Sequence, residues 1–188
     1  MVFLGGMVSV FLVLPIEKFI FTVTLSAFSI LTIFLWAGTE EIFKYITAYF
    51  TALRNKVTDE PLDCIVYMIT AALGFSALEN TLFIFNLVES GDFIKSIMTG
   101  NSRFLGATLL HVASSAVIGA MMSLAYYKKP KLKKIFLFTG IAMSILLHTV
   151  FNLLIIKFGN DLFFVFAGVW ILIILLIVLI EKVKKINS

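Results

Sequence analysis

The sequence predicts an all-α polytopic membrane protein: a bundle of about six transmembrane helices in a single transmembrane domain over residues 1–188. Three observations predict it. Of the 188 residues 61% are hydrophobic and only 14% charged, whereas a soluble domain is about half apolar and about a quarter charged. The apolar residues are gathered into long runs, and Leu162 to Ile180 contains no charge at all. At about 1.5 Å per residue, such a run crosses a hydrocarbon core about 30 Å thick. The charges, finally, are concentrated in short breaks between the runs.

The expected spans are 2–23, 27–53, 62–88, 103–127, 135–156 and 162–180. The first two come from one apolar stretch, Val2 to Ala37, interrupted only by Glu17 and Lys18. As one helix it would be about 54 Å long, too long for one crossing, so a turn is expected near Thr24 to Ala27. No signal-peptidase pattern follows the first run, so it is expected to stay as a membrane helix. Thr58-Asp59-Glu60-Pro61 precedes the third span, and Pro61 suits a first helical turn. The later breaks are Glu89 to Arg103, Lys128 to Lys134 and Lys157 to Asp161.

Basic residues set the orientation. The side holding both termini would carry eleven lysines and arginines, among them Lys128, Lys129, Lys131, Lys133 and Lys134; the other carries four, Lys18, Lys95, Arg103 and Lys157. Both termini are therefore expected in the cytoplasm of a multi-pass cell-membrane protein. The net charge of +4 follows from these flanking lysines, so no nucleic acid is expected as a partner; the bilayer is. The 128–134 stretch suits anionic lipid, but a topology anchor explains it as simply. Cys64 is the only cysteine, which excludes an internal disulfide.

Ionisable groups inside the runs are the informative residues. An Asp, Lys or Arg at the centre of a membrane helix costs about 2.5–3.5 kcal/mol. The second span nevertheless holds Glu40, Glu41 and Lys44, the third Glu79 with Asn80, the fourth His111 with Ser114 and Ser115, and the fifth His148 with Asn152. Depth brings them together. Measured from the ends of their spans, Glu79 lies about 13 Å, and His111 and His148 about 12 Å, below the same surface, with Glu40 near the midplane. His148 and Asn152 share a helix face, and Glu40 precedes Lys44 by one turn, the favourable order for an ion pair. Lys44 is expected to snorkel or to neutralise Glu40 in part. Ala71, Ala72, Gly74, Ser76 and Ala77, with Ala113, Ala116 and Gly119, allow the close helix approach that convergence needs.

Plainer explanations stand beside each residue. A single His or Asn serves equally as an interhelical hydrogen-bond partner. Ser114 and Ser115 suit bonds to their own helix backbone. Glu17 and Lys18 suit the outer interface, without chemistry; Glu89, Asp92 and Asp161 read as solvated loop charges. His-Glu-x-x-His is absent, no pair of membrane-embedded aspartates exists, and Ser76 in Gly74-Phe75-Ser76-Ala77 reads as packing.

Glu40-Glu41-Ile42-Phe43-Lys44 resembles the Glu-Glu-x-x-Lys motif of the PrsW family. Glu60-Pro61-Leu62-Asp63, Ile65-Val66-Tyr67 and Gly74-Phe75-Ser76-Ala77-Leu78-Glu79-Asn80 resemble its next block, and His111, His148 and Asn152 stand where its later motifs carry histidines. The similarity runs from about Phe3 to Ile156, with a more distant likeness to the CAAX prenyl endopeptidases and bacteriocin-immunity proteins of the same superfamily. Two departures accompany it. Family members carry a further apolar segment before the point where this chain begins, and Ala107 stands where the CAAX proteases place a Phe.

The resemblance implies a peptidase acting inside the membrane, with a membrane-anchored protein substrate such as an anti-sigma factor cut near the outer leaflet. It implies Glu40, Glu41, His111, His148 and Asn152 as catalytic residues. Two mechanisms fit. In one, Glu40 is a general base on water, His111 positions that water, and His148 and Asn152 stabilise the oxyanion. In the other, His111, His148 and a Glu (Glu79 or Glu41) ligate zinc, and Glu40 deprotonates the metal-bound water. A proton or metal transporter and a catalytically silent immunity-type protein are the alternatives. A transporter of this kind often shows repeats or broken helices, and the sequence has neither.

Overall fold

The structure is a computed structural model. It describes residues 1–27, 29–89, 91, 93–158 and 162–185, with the side chains of 93–105 and 162–166 excepted. The side chains of Asp92, Lys95, Arg103 and Asp161, used above for breaks and charge balance, lie outside the described residues.

Six helices make up the described chain: α1 (Val2–Thr24), α2 (Ile30–Ala48), α3 (Pro61–Glu89), α4 (Phe93–Leu124), α5 (Pro130–Phe158) and α6 (Leu162–Val183). Among the described residues α1, α3, Ala107–Leu124 of α4, and α5 are each long and apolar enough to cross a membrane. The protein is a multi-pass α-helical membrane protein.

Local chemistry explains the boundaries. Leu25 closes α1 in the left-handed region (φ 54°), its N–H donating to Phe21 O. Ser29 caps α2 by accepting from Thr32 N at 3.0 Å, so the first orphan amides are satisfied. The Thr32 hydroxyl lies 2.6 Å from Ser26 O and ties the turn to the helix it starts. At its other end α2 widens into one π-helical turn, Tyr49–Leu53. Pro61 opens α3, and the Asp63 carboxylate accepts from the amides of Asp59 and Glu60 at 3.0 Å each. α4 begins at Phe93, well before the apolar stretch that starts at 103, so the helix outruns its membrane-suited part.

Glycine sets the tightest contacts. A Cβ at Gly74 would strike the carbonyl of Phe3, and one at Gly6 the carbonyl of Ala71, so α1 and α3 meet backbone to backbone. At Gly119 a Cβ would sit 2.6 Å from Ile65 Cα, which holds α4 against α3 in the same way. Burial is inverted relative to a soluble protein. Phe11, Phe19, Phe138, Trp170 and Ile174 face outward, whereas Glu40, Glu41, Lys44, His111 and His148 are buried, with Lys44 among the largest fully buried side chains. Apolar surface outside is what lipid solvates.

Candidate active site

The buried polar groups form one cluster built from α2, α3, α4 and α5. α2 contributes three of them because Glu40, Glu41 and Lys44 fall within a little over one turn. Lys44 Nζ donates to Glu41 Oε1 at 2.8 Å, lies 2.7 Å from His111 Nδ1, and reaches Glu40 Oε2 at 3.4 Å. It is fully buried, so it does not snorkel. Two carboxylates within 3.4 Å offset the cost of keeping its charge away from water.

Glu41 lies at the closed end of the cluster. Its Oε1 accepts from Lys44, from Ser114 Oγ at 2.9 Å and from His148 Nδ1 at 2.9 Å; its Oε2 accepts from Ser115 Oγ at 2.8 Å and Ser144 Oγ at 2.9 Å. Five donors use all the acceptor capacity of one carboxylate. Ser114 and Ser115 thus spend their hydroxyls on Glu41 rather than only on their own helix, although Ser114 Oγ also lies 3.2 Å from His111 O. Ser144 is a partner the sequence did not single out. It lies one turn before His148, on the same face, and that spacing was the available signal.

Glu40 is held more loosely. Its Oε2 is 3.6 Å from His111 Nδ1 and 3.8 Å from His148 Nε2, just past hydrogen-bonding range of both rings. His111 and His148 pack edge to face with centroids 5.1 Å apart, and Phe75 packs on His111 at 5.4 Å. His111 Nε2 meets Glu79 Oε2 at 3.0 Å. The side chain of Glu79 is 27% exposed, against 8% for Glu40 and none for Glu41. The cluster therefore opens along Glu79 and closes at Glu41.

Partners dictate the tautomers. Glu41 only accepts, so His148 carries its proton on Nδ1 and turns the Nε2 lone pair toward Glu40. Lys44 only donates, so the His111 Nδ1 lone pair is used by Lys44, and Nε2–H donates to Glu79.

Glu17 joins the site from α1. Its backbone carbonyl accepts from Trp36 Nε1 at 3.0 Å, and its carboxyl lies close enough to Glu40 for the two to interact electrostatically. The sequence alone puts Glu17 at the outer interface without chemistry; in the structure its side chain is half-buried beside the cluster. Seven residues before the end of α1, it lies about 10 Å down the helix, close to the depths of Glu79 and both histidines, and that arithmetic was the missed signal. Asn152 is half-buried on the His148 face of α5 and makes no hydrogen bond among the described residues.

A profile described as "PrsW family intramembrane metalloprotease" matches residues 1–180. The chain belongs to the PrsW family. Relatives named Protease PrsW include one from Halalkalibacterium halodurans, 29% identical over 79% of this chain and 64% of the relative. One from Shouchella clausii is 27% identical over 80% of this chain and 65% of its own length, and one from Clostridioides difficile is 31% identical over 55% and 42%. The chain spans just under two thirds of the length of the first two. No solved structure matches it.

The PrsW description implies a metal, and the cluster offers a donor set for one. One ligand atom each from Glu40, His111 and His148 lie within 4.8 Å of one another. The His₂Glu composition is that of catalytic zinc sites, whose ligand atoms at about 2.0–2.1 Å from zinc stand about 3.3 Å apart; Glu40 Oε2 stands 3.6 and 3.8 Å from the two rings, and the set, spread over up to 4.8 Å, would draw together to hold the ion. The Nδ1–H bond of His148 to Glu41 is the second-shell contact that orients a metal-binding imidazole. The donors fit. Zinc on His111 Nδ1 and the hydrogen bond from Lys44 exclude each other, because both need one lone pair. Glu41, with five donors, has no lone pair to spare for a metal, and Glu79 lies on the far nitrogen of His111.

Proposed function

We propose that this protein is an intramembrane peptidase that hydrolyses a peptide bond of a membrane-anchored, single-span protein, an anti-sigma-factor-like substrate cut near the outer leaflet. Both termini lie in the cytoplasm in this reading, and residues 1–188 act as one transmembrane domain. The observation that carries it is the position of Glu40 Oε2 beside Lys44 Nζ and the two imidazoles, at 3.4, 3.6 and 3.8 Å. One carboxylate oxygen thus has an ammonium and two imidazoles around it.

Glu40 acts as general base, taking a proton from water as its oxygen attacks the scissile carbonyl, and returning it to the leaving amine. His148 Nε2 accepts a hydrogen bond from the same water, its ring fixed by Glu41. Lys44 supplies positive charge beside the developing oxyanion, and Asn152 supplies an amide donor from the next turn of α5. His111, held between Lys44 and Glu79, orients Lys44. Glu79 marks the side from which a substrate strand enters.

Zinc, when bound, would be held by Glu40, His111 and His148 and would supply Lewis-acid polarisation and a more acidic water. Glu40 is then a ligand, and Glu79 is the carboxylate nearest to the His111 edge.

The test is co-expression with a single-span reporter bearing a short outer segment. The wild type is expected to cleave it, and Glu40→Gln to lose at least about 100-fold in rate while inserting normally. Cleavage by Glu40→Gln at the wild-type rate would remove Glu40 from the mechanism. Ion flux in liposomes without peptidase activity would replace the reading with a transporter.

A further inference from the structure

At the end of the bundle that carries the 54–60 and 125–129 loops, a cavity of about 630 Å³ opens among α3, α4, α5 and the π-helical turn. Its floor is apolar: Leu53, Cys64, Met122 and Leu137. Leu53, Met122 and Leu137 also pack on the core around Met68 and Ile118, so the floor is continuous with the interior. Its rim is basic, with Lys128, Lys133 and Lys134 beside Tyr126 and Tyr127. The Tyr126 hydroxyl donates to Thr58 O at 2.9 Å and fixes the wall between the two loops.

The lysines are not neutralised from within. No carboxylate lies within ion-pair distance of any of the three among the described residues; Lys133 Nζ instead stands 5.4 Å from the Tyr126 ring and Lys128 Nζ 5.9 Å from that of Phe136. The nearby Asp63 carboxylate is engaged by two backbone amides. A topology anchor needs lysines but no cavity behind them. Here three cations ring the mouth of a recess whose volume falls in the range of small-molecule sites.

We infer that this cavity is a binding site for an anionic phospholipid, the headgroup phosphate held by Lys128, Lys133 and Lys134 and one acyl chain laid over Leu53, Met122 and Leu137. The charge complements a phosphate, and the ammonium groups act as point charges that accept varied headgroup geometry. The apolar floor selects a lipid over a soluble phosphate. The lysines flank the first apolar turns of α5, which is the level of the headgroups, where basic pockets between membrane helices bind anionic lipid. The site is separate from the Glu40 cluster, and its occupancy does not depend on peptidase activity.

Native mass spectrometry of the purified full chain, with phosphatidylglycerol or phosphatidylcholine titrated in, tests the assignment. The wild type is expected to retain one phosphatidylglycerol per chain against phosphatidylcholine, and each of Lys133→Gln and Lys134→Gln to weaken it about fivefold. Because lysine changes also perturb topology, Met122→Trp, which fills the cavity and keeps every charge, is the second variant. It is expected to abolish retention at unchanged secondary structure; Leu137→Trp serves in its place should Met122→Trp fail to fold. Three results would overturn the inference: equal retention of both lipids, undiminished retention with the cavity filled, or displacement of the lipid by inorganic phosphate at equal concentration.

Discussion

Glu40 and Glu41 are adjacent on one helix and share Lys44 and His148 as neighbours, yet their surroundings differ. Glu41 has no exposed side-chain surface and accepts from five donors on three helices. Glu40 faces the two imidazoles at 3.6 and 3.8 Å and meets Glu17 from α1. A carboxylate with every lone pair engaged is a scaffold, since moving a proton to it would break bonds that hold three helices. One with looser contacts can exchange a proton with a reactant. In the proposed mechanism the family motif thus holds a reacting residue, Glu40, beside a supporting one, Glu41.

Mutations sharpen that contrast. Glu40→Gln should cost at least about 100-fold in cleavage and leave the unfolding midpoint in detergent within a few degrees. Glu41→Ala should do the reverse first: it removes the nearer counter-ion of a buried ammonium and leaves several buried donors without their acceptor, a loss of about 3–5 kcal/mol, read as a collapse of the thermal midpoint. A Glu41→Ala protein as stable as the wild type would break the distinction. Lys44→Met frees His111 Nδ1, so purified protein should take up more zinc than the wild type under the same dialysis. Equal metal content by elemental analysis would show that Lys44 and zinc do not compete. Glu17→Ala, which removes a carboxyl near Glu40, is expected to slow cleavage by about tenfold, about 1.4 kcal/mol, with Glu17→Gln restoring most of it. The smallest change is Ser144→Ala, about 1 kcal/mol in stability, with cleavage retained.

Much of this centre could be read from the sequence because charge inside an apolar run is expensive and hence sparse. Glu40, Lys44, His111 and His148 stood out on that ground alone, and depth along each helix put them at compatible levels. The hydroxyls could not be read in the same way. Ser114 and Ser115 have a ready partner in their own backbone, and only the packing of α2 against α4 turns them to Glu41. Glu17 was obscured by Lys18, since a Glu-Lys pair looks like an interfacial break; in the structure Glu17 is half-buried and Lys18 exposed. The lysines at 128–134 were legible as charges, but the recess behind them depends on how the 54–60 loop meets the 125–129 turn, which no local pattern encodes.

The spacing of Lys44 after Glu40 and Glu41 also bears on biogenesis. Its ammonium pairs with both carboxylates inside a single helix, so the segment carries its own counter-ion before any neighbour arrives. A hairpin of the first two segments can leave the translocon carrying one net negative charge from these three groups instead of two, with the serines and imidazoles of the fourth and fifth segments docking onto it later. Separating that lysine from the pair by moving it to another helix would preserve the finished charge balance yet burden the nascent chain at the moment of entry into lipid.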